Sequence, residues 1–127
     1  MREAKAREAV EQAARAALDK KAADLVLLDM QPVASFTDYF LLCTGFSARQ
    51  VQAISDSVEE QLARRGVLPA HIEGYQVGEW VLLDYVDFVV HIFSPRARSF
   101  YDIERLWRRA ARLPPPADSQ PHTRSED

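Results

Sequence analysis

The chain has 127 residues, of which 47% are hydrophobic and 28% charged, and its formal net charge is −3. A chain of this length forms one domain and buries enough apolar surface to fold without disulfides or metals. The acidic balance argues against broad binding to a nucleic-acid backbone and favours a basic protein partner. No segment approaches the roughly 20 consecutive apolar residues that a membrane span needs. We therefore expect a cytoplasmic protein.

The N-terminal segment, residues 1–23, has the composition and spacing of an amphipathic helix. Alanine has the highest helix propensity, and the apolar positions recur every three or four residues. Because these side chains are small, we expect the helix to dock only lightly on the rest of the protein. Its apolar side comprises Ala9, Val10, Ala13, Ala17 and Leu18.

Two strands and a second helix are predicted next. Residues 24–30 have the composition of a strand, and residues 36–44 form a strand that is apolar on both faces and therefore central. Ser47 followed by Gln50 is a capping box, so a helix begins there, and Gly66 marks its end. The buried stripe of this helix is expected to be Val51, Ile54, Val58 and Leu62.

The second half of the chain predicts an edge strand and a hairpin. Residues 72–75 suit a short edge strand, and residues 79–85 and 88–93 suit two strands joined by a tight turn. Because both faces of the first hairpin strand are apolar, either the strand is buried on two sides or one face binds another protein. One face carries Trp80, Leu82 and Asp84, and the other carries Val81, Leu83 and Tyr85.

A last helix and a polar tail complete the chain. Ser94 is an N-cap followed by proline at the first helical position, and a break is expected near Asp102. Residues 114–127 lack large apolar side chains and are predicted to be disordered, so the domain spans residues 1–113. The element order predicts an α+β fold with a mixed β-sheet flanked by helices. The apolar side of the last helix comprises Phe100, Ile103, Leu106, Trp107 and Ala110.

Two features raise the alternative of a metal-dependent nucleotidyltransferase. The G-x-S turn at residues 45–47 lies between a strand and a helix, where backbone N–H groups bind phosphate, and Asp84 and Asp87 are carboxylates for metal ions. This alternative is the weaker one, because the two acids are spaced i, i+3 and such turns also serve as plain helix caps. The lone Cys43 suits core packing, and His91 is predicted to be a core imidazole with one hydrogen bond.

Three segments between about Ala22 and Trp107 match a known family in order and spacing. They read DYF-x-LCTG-x-S-x-RQV-x-AI-x-D, then EGY-x-x-GEWVLLDY-x-D-x-VVHIF, then R-x-FYDIERLW. Together these residues resemble the ribosomal silencing factors, which are also known as the Iojap-related proteins. Only the alanine-rich N-terminus and the proline-rich tail fall outside the similarity.

The resemblance implies a non-enzymatic protein with a nucleotidyltransferase-like fold, without a cofactor or metal. Such proteins bind the fourteenth protein of the large ribosomal subunit, hinder association with the small subunit and repress translation under nutrient limitation. They are commonly homodimers when free, and sequence-specific nucleic-acid binding is not implied. A dimeric adaptor with a non-ribosomal partner stays open as a further alternative. The implied contact residues are Trp80, Asp84, Tyr85 and Asp87 in the hairpin and Tyr101, Glu104, Leu106 and Trp107 in the last helix.

The hairpin turn departs from the family pattern. Family members often carry glycine between the two acids, where this chain has Val86. A β-branched residue disfavours a positive φ, so the sequence does not establish that the glycine-type turn is kept. The direction in which Asp84 and Asp87 point is left open.

Overall fold

The computed structural model describes residues 2–116 and contains one six-stranded sheet with helices on both of its faces. The strand order is β3-β4-β5-β2-β1-β6, and only β2 and β5 pair in parallel. The predicted α+β fold with a mixed sheet is therefore confirmed, while the likeness to nucleotidyltransferases stays an expectation. In chain order the elements are α1 (Arg2–Asp19), β1 (Ala23–Asp29), β2 (Tyr39–Thr44), α2 (Ala48–Ala63), β3 (His71–Glu73), β4 (Trp80–Asp84), β5 (Phe88–Phe93), α3 (Pro95–Tyr101), α4 (Ile103–Leu106) and β6 (Ala111–Leu113).

The two central strands are buried along their whole length. Every residue of β2 and of β5 is buried, and the parallel register runs from Tyr39 opposite Phe88 to Thr44 opposite Phe93. This is the behaviour expected of a strand pair covered on both faces. The strand β2 begins three residues later than predicted. Phe36 lies before the strand, and its ring contacts that of Trp107, with centroids 5.8 Å apart.

The prediction that α1 docks lightly is wrong. Small side chains let α1 lie close against α2, so the Ser57 hydroxyl donates a 2.8 Å hydrogen bond to the carbonyl of Ala16. The predicted stripe of α2 (Val51, Ile54, Val58 and Leu62) is fully buried against this helix and the sheet. On α1 the buried residues are Ala6, Ala9, Val10, Ala13, Ala14, Ala16 and Ala17.

The start of α2 is fixed by Ser47 and Gln50. The Ser47 hydroxyl accepts the N–H of Gln50 at 3.0 Å, as the capping box predicts. The side-chain oxygen of Gln50 accepts the N–H of Phe46 at 2.7 Å, one residue earlier than in the usual box. The side-chain nitrogen of Gln50 also donates to the carbonyls of Lys20 and Lys21. One glutamine thus joins the start of α2 to the chain after α1.

The C-terminal helix is divided into α3 and α4 at Asp102, whose φ is 48°. The predicted break is confirmed, but the predicted continuous apolar side is not. The left-handed residue changes the helical phase, so Phe100 and Leu106 are exposed while Ile103 and Trp107 pack on the sheet.

The strand β6 was not predicted from the sequence. It pairs antiparallel with β1, and Leu113 lies opposite Leu27. Leu113 is also the residue at which the predicted domain ends. Most of the predicted disordered tail, residues 117–127, lies outside the described residues.

The hairpin turn keeps the glycine-type backbone although residue 86 is valine. Val86 has a φ of 73°, and the N–H of Asp87 donates to the carbonyl of Tyr85 at 2.9 Å, which defines a γ-turn. The carboxylate of Asp84 accepts the N–H of Val86 at 2.8 Å. The valine side chain is exposed, so no packing compensates for the unfavourable conformation.

Replacing Val86 with glycine is expected to stabilise the protein. Relief of the left-handed strain gains 1–2 kcal/mol, which the greater freedom of the unfolded chain partly offsets, so we expect a net gain of about 1 kcal/mol. The free energy of unfolding from urea denaturation measures this change. The matched control is Val77→Gly, because Val77 is also exposed but has an ordinary φ. The control should lose stability, and an equal loss in both variants would contradict the strained turn.

Candidate partner-binding surface

One face of the sheet is covered far less completely than the other. The helices α1 and α2 have 18 and 16 residues, whereas α3 and α4 on the opposite face have only seven and four. As a result, apolar side chains along β4, α3 and α4 stay accessible. This surface, hereafter the aromatic face, consists of Phe36, Val77, Trp80, Leu82, Phe100, Tyr101, Leu106 and Trp107.

Ring contacts make the aromatic face continuous. The Tyr101 ring lies 4.7 Å from Trp80 and 5.0 Å from Phe100, measured between centroids. Leu106 and Trp107 line a common groove at the other end of the face. Tyr101 is 52% exposed and Leu106 is 72% exposed. These two predicted contact residues are therefore available to a partner, with Trp80 and Trp107 half-buried beside them.

The indole of Trp80 is held in place by His91. Its Nε1–H donates to His91 Nδ1 at 3.1 Å, and the His91 ring lies 4.6 Å from that of Phe40. Burial lowers the pKa of His91 to about 3, so the ring is neutral. Because Nδ1 accepts the hydrogen bond from Trp80, the single proton of the ring is on Nε2. Within residues 3–116 that Nε2 has no hydrogen-bond partner. The predicted core imidazole with one hydrogen bond is confirmed.

Carboxylates lie along the β4 end of the aromatic face. Asp84 is half-buried and shares the face of β4 that carries Trp80. Asp87 is half-buried at the end of the same hairpin turn. Two further acids, Glu73 and Glu79, were not predicted from the sequence. They line an open groove of about 340 Å³ together with Trp80, Leu82 and Tyr101. The strand pairing of β3 with β4 brings Glu73 there, and no local motif signals it.

Tyr85 does not belong to this surface. It is only 7% exposed and packs in the core on the opposite face of the sheet, stacked on Phe88 with ring centroids 4.8 Å apart. Burial raises the pKa of its hydroxyl above the usual range. The alternation of side chains along β4 puts Tyr85 on the face of the sheet away from Trp80. The contact role of Tyr85 implied by the resemblance therefore disagrees with the geometry.

Glu104 is engaged inside the protein. It forms an ion pair with Arg98 at 3.0 Å, and Arg98 also donates to the Thr44 hydroxyl at 2.9 Å and to the carbonyl of Asp24 at 2.7 Å. These contacts fasten α4 to the ends of β1 and β2. Glu104 therefore orients the exposed side chains of α4, whereas Tyr101 and Leu106 present apolar surface directly.

The residues proposed for nucleotidyl transfer lie at opposite ends of the sheet. Gly45 donates its N–H to the carbonyl of Phe93, at one end of β5, whereas Asp87 lies just before Phe88 at the other end. Five residues of strand separate these ends, which is about 16 Å. The N–H of Phe46 in the G-x-S turn is already bonded to a side chain, so it is not offered to a phosphate. The predicted turn and the hairpin acids do not form one site.

Metal binding, thiol catalysis and membrane spanning find little support in the described part of the chain. Within it, no three His, Cys, Asp or Glu side chains converge as a metal site. Burial raises the pKa of the Cys43 thiol to about 12, which suppresses the nucleophilic thiolate at neutral pH. None of the described helices is long and apolar enough to cross a membrane.

Comparison with known proteins agrees with the three sequence signatures. Residues 3–127 match the family described as "Ribosomal silencing factor during starvation". The protein belongs to this family. It is 43% identical to ribosomal silencing factor RsfS of Bacillus subtilis over 95 residues, which are 75% of this chain and 80% of that protein.

Similarity extends to a solved structure and to a distant relative. A crystal structure of a protein from Chromobacterium violaceum has a TM-score of 0.78 and 40% sequence identity, and the match covers 80% of this chain and 84% of that one. A mouse protein named mitochondrial assembly of ribosomal large subunit protein 1 is 29% identical over 91 residues, which are 69% of this chain and 40% of that protein. The family resemblance predicted from the sequence is confirmed.

Acid is expected to destabilise the protein through His91. The native imidazole resists protonation until about pH 3, whereas the unfolded chain takes up the proton near pH 6.5. The stability is therefore complete above pH 6.5 and falls as the pH drops, by about 2 kcal/mol at pH 5. Urea denaturation at pH 7.5 and pH 5 measures this loss. His91→Asn, whose side-chain oxygen can replace Nδ1 as acceptor, should remove it, and His71→Gln should not. An unchanged acid loss in His91→Asn would contradict the assignment.

The hydroxyl of Tyr85 is expected to contribute nothing to stability. Within residues 3–116 it has no hydrogen-bond partner, so Tyr85→Phe should leave the free energy of unfolding unchanged or raise it by up to about 1 kcal/mol. Tyr39→Phe is the matched control, because the Tyr39 hydroxyl donates to Glu3 at 2.7 Å and its loss should cost about 1 kcal/mol. A larger loss in Tyr85→Phe than in Tyr39→Phe would overturn this assignment.

Proposed function

We propose that this protein binds the large ribosomal subunit through its fourteenth protein, blocks association with the small subunit and represses translation when nutrients are limiting. The observation that supports this function is the aromatic face, a continuous apolar surface with carboxylates along one end. Membership in the ribosomal silencing factor family supplies the ribosome as the partner. The name of the mouse relative points to the large subunit.

The chemistry of the aromatic face suits a basic protein partner. Tyrosine and tryptophan supply most of the binding energy in many interfaces, because they bury a large area with few rotatable bonds. Tyr101 and Trp80 occupy the centre of the face, in ring contact with each other. The acids Glu73, Glu79 and Asp84 at its β4 end attract lysine and arginine side chains and set the orientation of the partner.

The proposed action is steric and needs no catalysis. A folded chain of 127 residues has a radius of gyration of about 14 Å. A body of that size on the joining face of the large subunit prevents the small subunit from approaching within contact distance. We therefore propose a non-enzymatic repressor that acts in the cytoplasm by occupancy alone.

A second copy of the chain is the alternative occupant of the aromatic face. The homodimer implied by the family resemblance would cover the same exposed apolar side chains in the free protein. Self-association and subunit binding would then compete for Tyr101 and Leu106. Sedimentation of the free protein over a range of concentrations tests this part of the proposal.

Removing two exposed side chains from the aromatic face is expected to weaken subunit binding. Tyr101→Ala combined with Leu106→Ala deletes apolar contacts without opening the core, and a loss of at least about tenfold in affinity is expected. Co-sedimentation with purified large and small subunits measures binding. The matched control is Phe46→Ala with Leu68→Ala, which removes an aromatic residue and a leucine that are at least as exposed elsewhere on the protein.

Two results would contradict the proposed function. One is a folded wild-type protein that fails to co-sediment with the large subunit. The other is an equal loss of binding in both double variants, which would show that the aromatic face is not the contact. Binding to the small subunit alone would point to a different partner.

A further inference from the structure

Positive charge is concentrated in the C-terminal part of an acidic chain. Residues 96–112 contain six arginines and two carboxylates, which gives this segment a formal charge of +4 in a chain of −3. The proposed contact with a basic ribosomal protein does not account for this segment, because like charges would repel. Its position beside the aromatic face calls for a different partner chemistry.

Five of the six arginines in this segment fall into two groups. Arg98 and Arg112 pair with Glu104 and hold α4 on the sheet. Arg105, Arg108 and Arg109 are exposed, and no side-chain hydrogen bond or ion pair to other residues of 3–116 is found for them. Three guanidinium groups are therefore free to bind an anion from outside.

These three arginines share one groove with exposed aromatic rings. The groove is open, has a volume of about 680 Å³ and contains one described carboxylate, that of Asp102. Phe100, which is 78% exposed, and Tyr101 form its aromatic side. The groove, hereafter the arginine groove, is lined by Ser99, Phe100, Tyr101, Asp102, Arg105, Leu106, Arg108 and Arg109.

We propose that the arginine groove binds the phosphate backbone of ribosomal RNA beside the protein contact, an inference that rests on the proposed function. Guanidinium groups bind phosphate oxygens with two parallel hydrogen bonds, and aromatic rings stack on unpaired bases. The contact is to backbone and base faces, so it does not require sequence-specific recognition.

The charge pattern along the aromatic face favours this partner over an acidic protein. The carboxylates of Glu79 and Asp84 lie at the β4 end of the aromatic face. The guanidinium groups of Arg105 and Arg109 lie at its α4 end. A basic protein seated on RNA presents the complementary pattern, with cationic side chains at one end and phosphates at the other. The ion pair between Arg98 and Glu104 fixes α4, so the groove is organised before binding.

The test replaces the three arginines together and compares two partners. Arg105→Gln with Arg108→Gln and Arg109→Gln is expected to weaken binding to intact large subunits at least tenfold. It should also reduce the slope of log affinity against log salt concentration by about two, because three phosphate contacts are lost. Binding to the isolated fourteenth protein should be unchanged. The matched control is Arg49→Gln with Arg64→Gln and Arg65→Gln, which changes the charge equally at exposed sites of α2 and its C-terminal end.

Each outcome of the test separates the RNA contact from the proposed function. Equal weakening toward the isolated protein and the subunit would show that the arginines contact protein, and the RNA contact would be wrong. An equal change of slope in both triple variants would show that net charge alone causes the effect, and the RNA contact would again be wrong. Wild-type binding to subunits but not to the isolated protein, with the expected change of slope, would sustain the RNA contact and overturn the protein partner. If the wild-type protein bound neither the large subunit nor the isolated fourteenth protein, both the RNA contact and the proposed function would be wrong.

Discussion

The parallel pairing of β2 with β5 is the constraint on which the rest of the structure depends. Both strands are buried along their whole length, so the sheet has to be covered on both faces. The alanine-rich α1 and the long α2 cover the first face, and close approach of α1 is possible because its side chains are small. Only α3 and α4 are left for the second face. The aromatic face is thus the part of a two-sided core that residues 2–116 do not cover.

The guanidinium group of Arg98 connects α4, on the less completely covered face, to the central strand β2. Arg98 pairs with Glu104 and donates to the Thr44 hydroxyl at the end of the central strand β2. The ion pair is mostly buried, with 14% of the Arg98 side chain and 24% of the Glu104 side chain exposed, so it is screened less than a surface pair. This contact therefore positions α4, which carries the exposed side chains of Arg105 and Leu106.

Local patterns in the sequence predicted most elements, and long-range contacts account for what they missed. Ser47 and Gln50 identified the start of α2, and the alternation of β4 separated Trp80 from Tyr85 correctly. Neither the pairing of β6 with β1 nor the position of Glu73 beside Trp80 has a local signature, because each depends on a register between distant segments. Family resemblance supplied the contact residues as a group but could not distinguish exposed Tyr101 from buried Tyr85, since both belong to matching motifs.

Strand register also explains why a valine occupies a backbone conformation that suits glycine. Trp80 pairs with Phe93 and Asp84 with Val89, so the register of β4 and β5 is fixed by two apolar faces that a slip of one residue would exchange. In the short connection that remains, Val86 has a positive φ. Its cost of roughly 1–2 kcal/mol is smaller than the cost of exposing the strand pair's apolar faces. The placement of Asp84 and Asp87 is therefore set by the packing of the sheet and not by the residue between them.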